Sequence, residues 1–213
     1  MHTELKKEII EAALQIKQYG LIALSGGNVS VRLDDGNVLV TPSGMSYEGM
    51  KPDDILLMKP DGEVIEGKLR PSVDTVALLY IYEHMPQVNA IIHTHQPYAS
   101  AVGLIADELP VACTTLANVT LGAVTVAPYT SPASLQMGKE TVAHIGNKRA
   151  VILKHHGIVT VGGNLKEALY AAIYMEESAK SYLAAKAAGE VTLMTPEQVK
   201  NAVDVFKDYG QKE

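Results

Sequence analysis

At 213 residues, the chain has the length of one large domain or two small ones, and no linker-like stretch divides it. A hydrophobic fraction of 47% suits a compact globular protein, and a net charge of −6 argues against a nucleic-acid partner, which favours a basic surface. The single cysteine, Cys113, excludes an internal disulfide framework, and no apolar run reaches the ~18–20 residues that cross a bilayer. With a charged N-terminus that lacks a signal-peptide core, we expect one cytoplasmic, soluble domain over residues 1–213 and no membrane partner.

Helices and short strands alternate in the first half of the chain. The predicted elements are a helix at 4–19, a glycine turn at 25–28 leading into a strand that ends near Arg32, a hairpin partner at 38–41, strands at 54–60 and 64–67, and a helix at 73–84. We expect Ser72 or its neighbour to be the N-cap of the last helix.

The second half continues the same pattern. The predicted elements are a strand at 90–93, a helix at 96–105, short strands near 111–115 and 123–127, a helix at 134–145, a buried strand at 150–154 that continues at 158–161, a helix at 164–189 with Asn164 as N-cap, and a helix that Thr195 begins. The pattern predicts an α/β fold with a mostly antiparallel sheet and helices on both of its faces.

Four of the seven histidines end two of these predicted strands. His93 and His95 are two residues apart, so on a strand their side chains point to the same face. The pair His155-His156, followed by Gly157, ends the other strand, and only one of these two histidines can point to that place. The spacing does not say which one. Neutral imidazole is the commonest protein ligand of metals, so the pattern predicts a three-histidine site for a divalent metal.

One carboxylate, that of Asp74, begins a predicted helix. The helix dipole favours a negative charge there, and a metal site for carbonyl chemistry also needs a proton-transferring group. Helix capping explains an aspartate at this position equally well, so both interpretations stay open.

Two glycine-containing loops, at 25–30 and 41–44, together with Ser72 at a helix start, offer backbone N–H and hydroxyl donors for an anion such as phosphate. Each segment taken alone is also an ordinary turn.

Together these motifs resemble one known family. They occur in the order Gly27-Asn28-Val29-Ser30, Thr41-Pro42-Ser43-Gly44, Pro71-Ser72-Val73-Asp74, His93-Thr94-His95 and His155-His156-Gly157. This set is similar to the class II aldolase/adducin-like family, and the resemblance extends from the first helix to Tyr209. The family includes sugar-phosphate aldolases and epimerases as well as adducin-like interaction modules.

The resemblance implies a metal-dependent aldolase that cleaves a ketose 1-phosphate, such as fuculose 1-phosphate or 5-deoxyribulose 1-phosphate, to dihydroxyacetone phosphate and an aldehyde. It implies that His93, His95 and His156 bind one divalent metal per subunit, usually zinc and sometimes manganese, which acts as a Lewis acid. It assigns proton transfer to Asp74. It also implies a C4 homotetramer in which Tyr209 reaches a neighbouring subunit's site as proton donor. The implied phosphate-binding residues are Asn28, Ser43, Gly44 and Ser72.

Departures from the family's patterns bear on the choice of activity. The epimerase branch carries a lysine where this chain has Thr41 and an acid where it has Asn118, so an epimerase would lack a group that it needs. Asp74 in place of glutamate, Val73 in place of a serine and Thr114 in place of an aromatic residue favour an aldolase for a different or smaller aldehyde. The adducin-like alternative is disfavoured because an interaction module does not need three metal-binding histidines.

Overall fold

The computed structural model describes residues 2–206; Met1 and residues 207–213, which include the predicted proton donor Tyr209, lie outside the described residues. Within 2–206 the strands form one sheet in the order β4-β3-β2-β1-β5-β9-β8-β7-β6. The strands are β1 Gly27–Arg32, β2 Val38–Val40, β3 Leu56–Met58, β4 Val64–Glu66, β5 Ala90–Thr94, β6 Glu108–Leu109, β7 Val124–Ala127, β8 Ala150–Leu153 and β9 Gly157–Gly162. The parallel pair is β7 with β8, and the other neighbouring strands run antiparallel, which confirms the mostly antiparallel sheet.

Helices cover both faces of this sheet, as predicted. They are α1 Thr3–Gln18, α2 Thr75–His84, α3 Pro97–Ile105, α4 Thr114–Thr120, α5 Leu135–Ile145, α6 Leu165–Ala188 and α7 Pro196–Phe206, with a 3-10 turn at Pro52–Asp54. On β5, Ala90 and Ile92 pack into a core with α1, whereas Ile91 packs into a second core with α2 and α5. Because successive strand residues face opposite ways, β5 is buried on both sides and lies at the centre of the molecule. Within 2–206, no helix combines the length and the apolar character that crossing a membrane requires.

Two expectations about strands are wrong. Residues 158–161 do not continue the strand at 150–154; instead β8 and β9 form an antiparallel hairpin joined by a turn. The predicted strand at 111–115 is absent, and Thr114–Thr120 is helix α4, while a shorter strand lies at Glu108–Leu109. The β-branched residues favoured a strand locally, but packing of Leu116 and Ala117 against the core beside α6 and α7 decides for a helix.

The helix ends show which capping predictions hold. Asn164 accepts a hydrogen bond from Glu167 N at 2.9 Å, so its role as the N-cap of α6 is confirmed. Thr195 and Gln198 exchange reciprocal hydrogen bonds at the start of α7, which is a capping box. The prediction that Ser72 or its neighbour is the N-cap of α2 is wrong, because Asp74, two residues after Ser72, holds that position. Asp74 makes no side-chain capping bond to its own helix. That carboxylate is therefore available for another role.

The expectation of one domain over residues 1–213 stays a prediction, because it includes residues that the structure does not describe.

Candidate metal centre and active site

Three histidines meet at the ends of the two central strands. His93 lies on β5, His95 follows that strand directly, and His156 lies in the turn between β8 and β9. One nitrogen from each ring lies within 4.8 Å of the others, and His93 Nε2 is 3.0 Å from His95 Nε2. A tetrahedral ion with metal–nitrogen bonds of ~2.0–2.1 Å separates its ligand atoms by about 3.3 Å, so the cluster fits a divalent metal.

The ring of His93 has a fixed orientation. Its Nδ1 lies 2.8 Å from the carbonyl oxygen of Ile158 on β9, the strand that pairs with β5. The carbonyl can only accept, so Nδ1 carries the proton and Nε2 presents its lone pair to the cluster. This is the arrangement in which a backbone carbonyl orients a metal-binding histidine.

Gly157 makes room for the cluster. A Cβ atom at this position would lie 2.4 Å from the carbonyl oxygen of Thr94 and 2.7 Å from Cδ2 of His95. The left-handed residue of the turn is His155, with φ 60°, and not the glycine. Gly157 is required because two strands and two histidine rings approach each other here.

The hairpin turn separates the roles of the adjacent histidines His155 and His156. His155 is exposed and its ring lies 6.4 Å from that of Tyr129, measured between centroids. His156 turns inward, with ring centroids 4.9 Å from His93 and 5.2 Å from His95. Its Nδ1 is buried and has no hydrogen-bond partner among the described residues. The turn therefore places His156, and not His155, in the cluster with His93 and His95, which the spacing of the histidines alone did not decide.

Burial keeps these imidazoles neutral. Loss of hydration lowers the pKa of His93 from 6.5 to about 4, and the nearby His95 and His156 act in the same direction, against the raising effects of Asp74 and the Ile158 carbonyl. Burial is also the main cause that lowers the pKa of His95 and of His156. Metals bind only neutral imidazole, so the unprotonated cluster is ready to accept an ion at neutral pH.

The carboxylate of Asp74 faces the cluster. Its Oδ2 lies 3.9 Å from His93 Nε2 and accepts a hydrogen bond of 3.0 Å from Asn28 Nδ2. Its Oδ1 accepts a bond of 3.3 Å from the backbone N–H of Ala133. Helix capping, the open alternative for Asp74, does not account for this side chain. Its position, 3.9 Å from His93 Nε2, would let it exchange a proton with a molecule bound at the cluster.

The predicted anion-binding segments border one cleft with the histidines. The cleft has a volume of about 290 Å³, and its walls include Ser43, Gly44, Ser72, Asp74 and the three histidines. An isolated bridge between Pro42 and Pro71 holds the 41–44 loop beside the segment that contains Ser72. Asn28, also predicted to bind phosphate, is buried and donates a hydrogen bond to Ser72 Oγ at 3.1 Å, and its role in binding phosphate stays a prediction.

Ser72 is suited to donate a hydrogen bond into the cleft. Its Oγ accepts bonds from Asn28 Nδ2 at 3.1 Å and from Asp74 N at 3.4 Å. A hydroxyl can accept two hydrogen bonds and donate one. Both acceptor positions of Ser72 are occupied, so its hydroxyl proton remains available to donate to an anion.

Other residues singled out in the sequence lie elsewhere. Thr114 and Asn118 belong to α4 and do not line this cleft. Thr41 is buried, and its Oγ1 accepts from Val29 N at 3.2 Å, a contact within the sheet. Tyr209 lies outside the described residues. The structure adds Ala133, whose backbone N–H donates to Asp74 and whose φ is 56°. The sequence did not indicate this residue, because no local pattern predicts its left-handed backbone or its contact with a distant carboxylate.

Comparisons with known proteins agree with this geometry. The chain is 32% identical to the 5-deoxy-D-ribulose 1-phosphate aldolase of Bacillus thuringiensis serovar kurstaki, over 97% of both chains. It is 32% identical to the L-fuculose phosphate aldolase of Haemophilus influenzae, over 97% of this chain and 95% of that one. A solved L-fuculose 1-phosphate aldolase superposes with a TM-score of 0.92 at 29% identity, over 97% of this chain and 98% of that one.

The family model described as Class II Aldolase and Adducin N-terminal domain matches residues 7–183. That range contains the strands, the three histidines and Asp74. The chain belongs to the class II aldolase and adducin family.

Proposed function

We propose that the protein is a class II sugar-phosphate aldolase that cleaves a ketose 1-phosphate into dihydroxyacetone phosphate and an aldehyde. One observation carries the proposal: a buried carboxylate, Asp74, lies 3.9 Å from the Nε2 atom of a three-histidine cluster, at the wall of a cleft of about 290 Å³. Family membership and the names of the aldolases to which the chain is similar support the same activity.

His93, His95 and His156 would hold the divalent metal, for which we propose zinc, with manganese as the alternative. The metal supplies Lewis-acid polarisation of the substrate carbonyl when it is bound. The donor set supports this assignment, since three neutral imidazoles suit zinc and leave further positions for a substrate.

Asp74 would transfer the proton at the carbon next to the carbonyl. In the cleavage direction, the hydroxyl on carbon 4 gives its proton to a base, the bond between carbons 3 and 4 breaks, and the aldehyde departs. The electron pair stays on carbon 3, and Asp74, which takes up a proton from solvent before this step, then donates that proton to carbon 3, while the base returns the hydroxyl proton to solvent. The family resemblance implies Tyr209 of a neighbouring subunit as the proton donor to the aldehyde oxygen in the reverse, addition direction. We therefore propose Tyr209 as the group that takes up the hydroxyl proton in cleavage, since the same group serves both directions of one step.

The substrate phosphate would bind between Ser43, Gly44 and Ser72. The wall that they form supports this, because it offers the hydroxyl proton of Ser72 and lies beside the N-terminus of α2, where the helix dipole favours an anion. Val73 is 63% exposed at the same wall and offers no hydroxyl where relatives of the fuculose type have a serine. With Asp74 in place of glutamate, this favours a substrate with a smaller aldehyde, such as 5-deoxyribulose 1-phosphate.

The epimerase alternative lacks support from this site. Thr41, which stands where the epimerases carry a lysine, uses its hydroxyl to accept from Val29 N inside the sheet. Asn118 cannot act as an acid or a base, and it lies on α4 away from the cleft.

We also propose a homotetramer with active sites between subunits. Large apolar side chains are exposed around the cleft: Leu24, Val73 and Tyr129, at 81%, 63% and 59%. Burying them against a second copy would place the active sites between subunits, where we propose that Tyr209 acts. Light scattering after size exclusion should give about 91 kDa, four times the 22.8 kDa of one chain. A monomer at micromolar concentration would contradict this.

The activity is tested by offering candidate ketose 1-phosphates with zinc or manganese and coupling the release of dihydroxyacetone phosphate to its reduction. Asp74→Asn should retain the metal and lose ~10²- to 10⁴-fold in cleavage, because it removes an acid–base group. His155→Asn is the matched control, since asparagine tolerates the left-handed backbone of that exposed position, and it should cleave like wild type. No release from any substrate, together with interconversion of pentulose 5-phosphates, would favour an epimerase instead.

A further inference from the structure

We propose that Tyr47 is a positioning residue for the phosphate end of the substrate, because its hydroxyl fixes the 41–44 loop beside strand β1. The proposal rests on the proposed function, in which the substrate phosphate binds between Ser43, Gly44 and Ser72. Tyr47 does not line the cleft, so it would act through the loop and not by contact with the substrate.

The 41–44 loop leaves the sheet at a defined bond. The ladder between β1 and β2 extends one bond beyond β2, from Thr41 N to Val29 O at 3.1 Å. In the same antiparallel register, Ser43 N would donate next to the carbonyl oxygen of Gly27, two residues earlier on β1. Ser43 N instead donates to Arg70 O at 2.9 Å, so the loop has turned away from β1.

The hydroxyl of Tyr47 replaces the bond that Ser43 does not make. Its Oη donates to the carbonyl oxygen of Gly27 at 2.7 Å. Burial raises the pKa of Tyr47 to about 12, against a lowering effect of Thr41, so the hydroxyl stays protonated and remains a donor at neutral pH. A strand carbonyl that loses its partner and gains no other is unfavourable. The tyrosine therefore stabilises the arrangement in which Ser43 faces away from β1.

The ring of Tyr47 gives this bond a fixed origin. The side chain is 1% exposed and packs into the core that α1 shares with β1. The loop is thus attached to β1 at two points, through Thr41 at its start and through Tyr47 just after its end. Ser43 and Gly44, which line the cleft, lie between these two points.

The carbonyl that Tyr47 binds lies close to the metal centre. Gly27 borders the cleft and stands opposite Thr94 on β5, the residue between His93 and His95. One hydroxyl thus relates the position of the predicted phosphate loop to the strand that carries the histidines. A ketose 1-phosphate would have to reach both places at once, so the distance between them matters for its binding.

The test compares ligand binding with the chemical step in zinc-loaded protein. Tyr47→Phe removes the hydroxyl and keeps the ring. Tyr82→Phe is the matched control: Tyr82 is also buried, its hydroxyl bonds to Ser30 Oγ at 2.9 Å, and it does not line the cleft. Tyr47→Met also lacks the hydroxyl and is the second variant if Tyr47→Phe does not fold, because methionine adapts to irregular core space.

We measure kcat and KM for cleavage, the Kd of dihydroxyacetone phosphate and of inorganic phosphate by calorimetry, zinc content and Tm. A displaced loop loses about one hydrogen bond to the phosphate, so KM and both Kd values should rise about tenfold. That binding is shared by the ground state and the transition state, so kcat should stay within about threefold of wild type. Zinc content should not change. Tyr82→Phe should lower Tm to a similar extent and keep the KM and Kd values of wild type.

Three results would overturn the inference. The first is unchanged KM and Kd in a folded Tyr47 variant. The second is an equal rise in Tyr82→Phe, which would trace weaker binding to lost stability alone. The third is a lower kcat with unchanged Kd. Failure of wild type to cleave any ketose 1-phosphate would refute the proposed function, whereas the Kd of inorganic phosphate would still decide the role of Tyr47.

Discussion

Replacing Gly157 with alanine should disrupt the proposed metal site without replacing any of the three histidines. The added Cβ would lie 2.4 Å from the Thr94 carbonyl oxygen and 2.7 Å from His95 Cδ2. An ordinary carbon–oxygen contact is ~3.3 Å, so the backbone of β5 or β9 must move by about 0.9 Å.

This displacement is large compared with what a metal site tolerates. Distances in a working site stay within about 0.2 Å of their preferred values, so a shift several times larger removes at least one ligand from its position. Forcing an extra carbon into a packed region costs about 1–3 kcal/mol, which lowers Tm by ~2–12 °C in a domain of this size. We expect the affinity for zinc to fall by ~10- to 100-fold or more.

The assay is competition for zinc with a chromophoric chelator, combined with thermal unfolding of the metal-free protein. Gly189→Ala is the matched control, because a Cβ at Gly189 meets no atom within 4 Å. That variant should bind zinc like wild type. A Gly157→Ala protein with wild-type zinc affinity and Tm would show that close packing at this glycine does not shape the site.

Three further predictions concern stability. In metal-free protein, His93 binds protons in the unfolded chain near pH 6.5 but in the folded chain only near pH 4, so the free energy of unfolding should fall by roughly 3 kcal/mol as pH drops across that window. Urea titrations at several pH values should show that the free energy of unfolding changes less steeply with pH in His93→Gln than in wild type. An equal dependence on pH in the two proteins would refute this. Glu176→Gln should lose about 1–3 kcal/mol, because the carboxylate accepts from both Tyr98 N and Ala99 N at the start of α3, and an unchanged Tm would contradict it. Arg32→Met should lose about 2 kcal/mol in denaturant unfolding, because the guanidinium binds backbone carbonyls at and beyond the end of α2. A midpoint equal to wild type would argue against that role.

Local patterns predicted the elements that carry most of the site. Strand alternation placed His93 and His95 on one face, and the structure has both pointing into the cluster. The capping signals at Asn164 and Thr195 also hold, because such bonds span only three residues. The strand predicted at 111–115 failed because its residues favour a strand locally, whereas packing against α6 and α7 stabilises a helix there.

The sequence by itself determined the α/β pattern, the two histidine motifs and the family, since each depends on residue types at short spacing. Only the tertiary structure selected His156 over His155, because that choice depends on the left-handed turn between two paired strands. It also decided what holds Asp74: Asn28 is 46 residues away along the chain and Ala133 is 59. Contacts at such separations arise from strand register and helix packing, which no local pattern encodes.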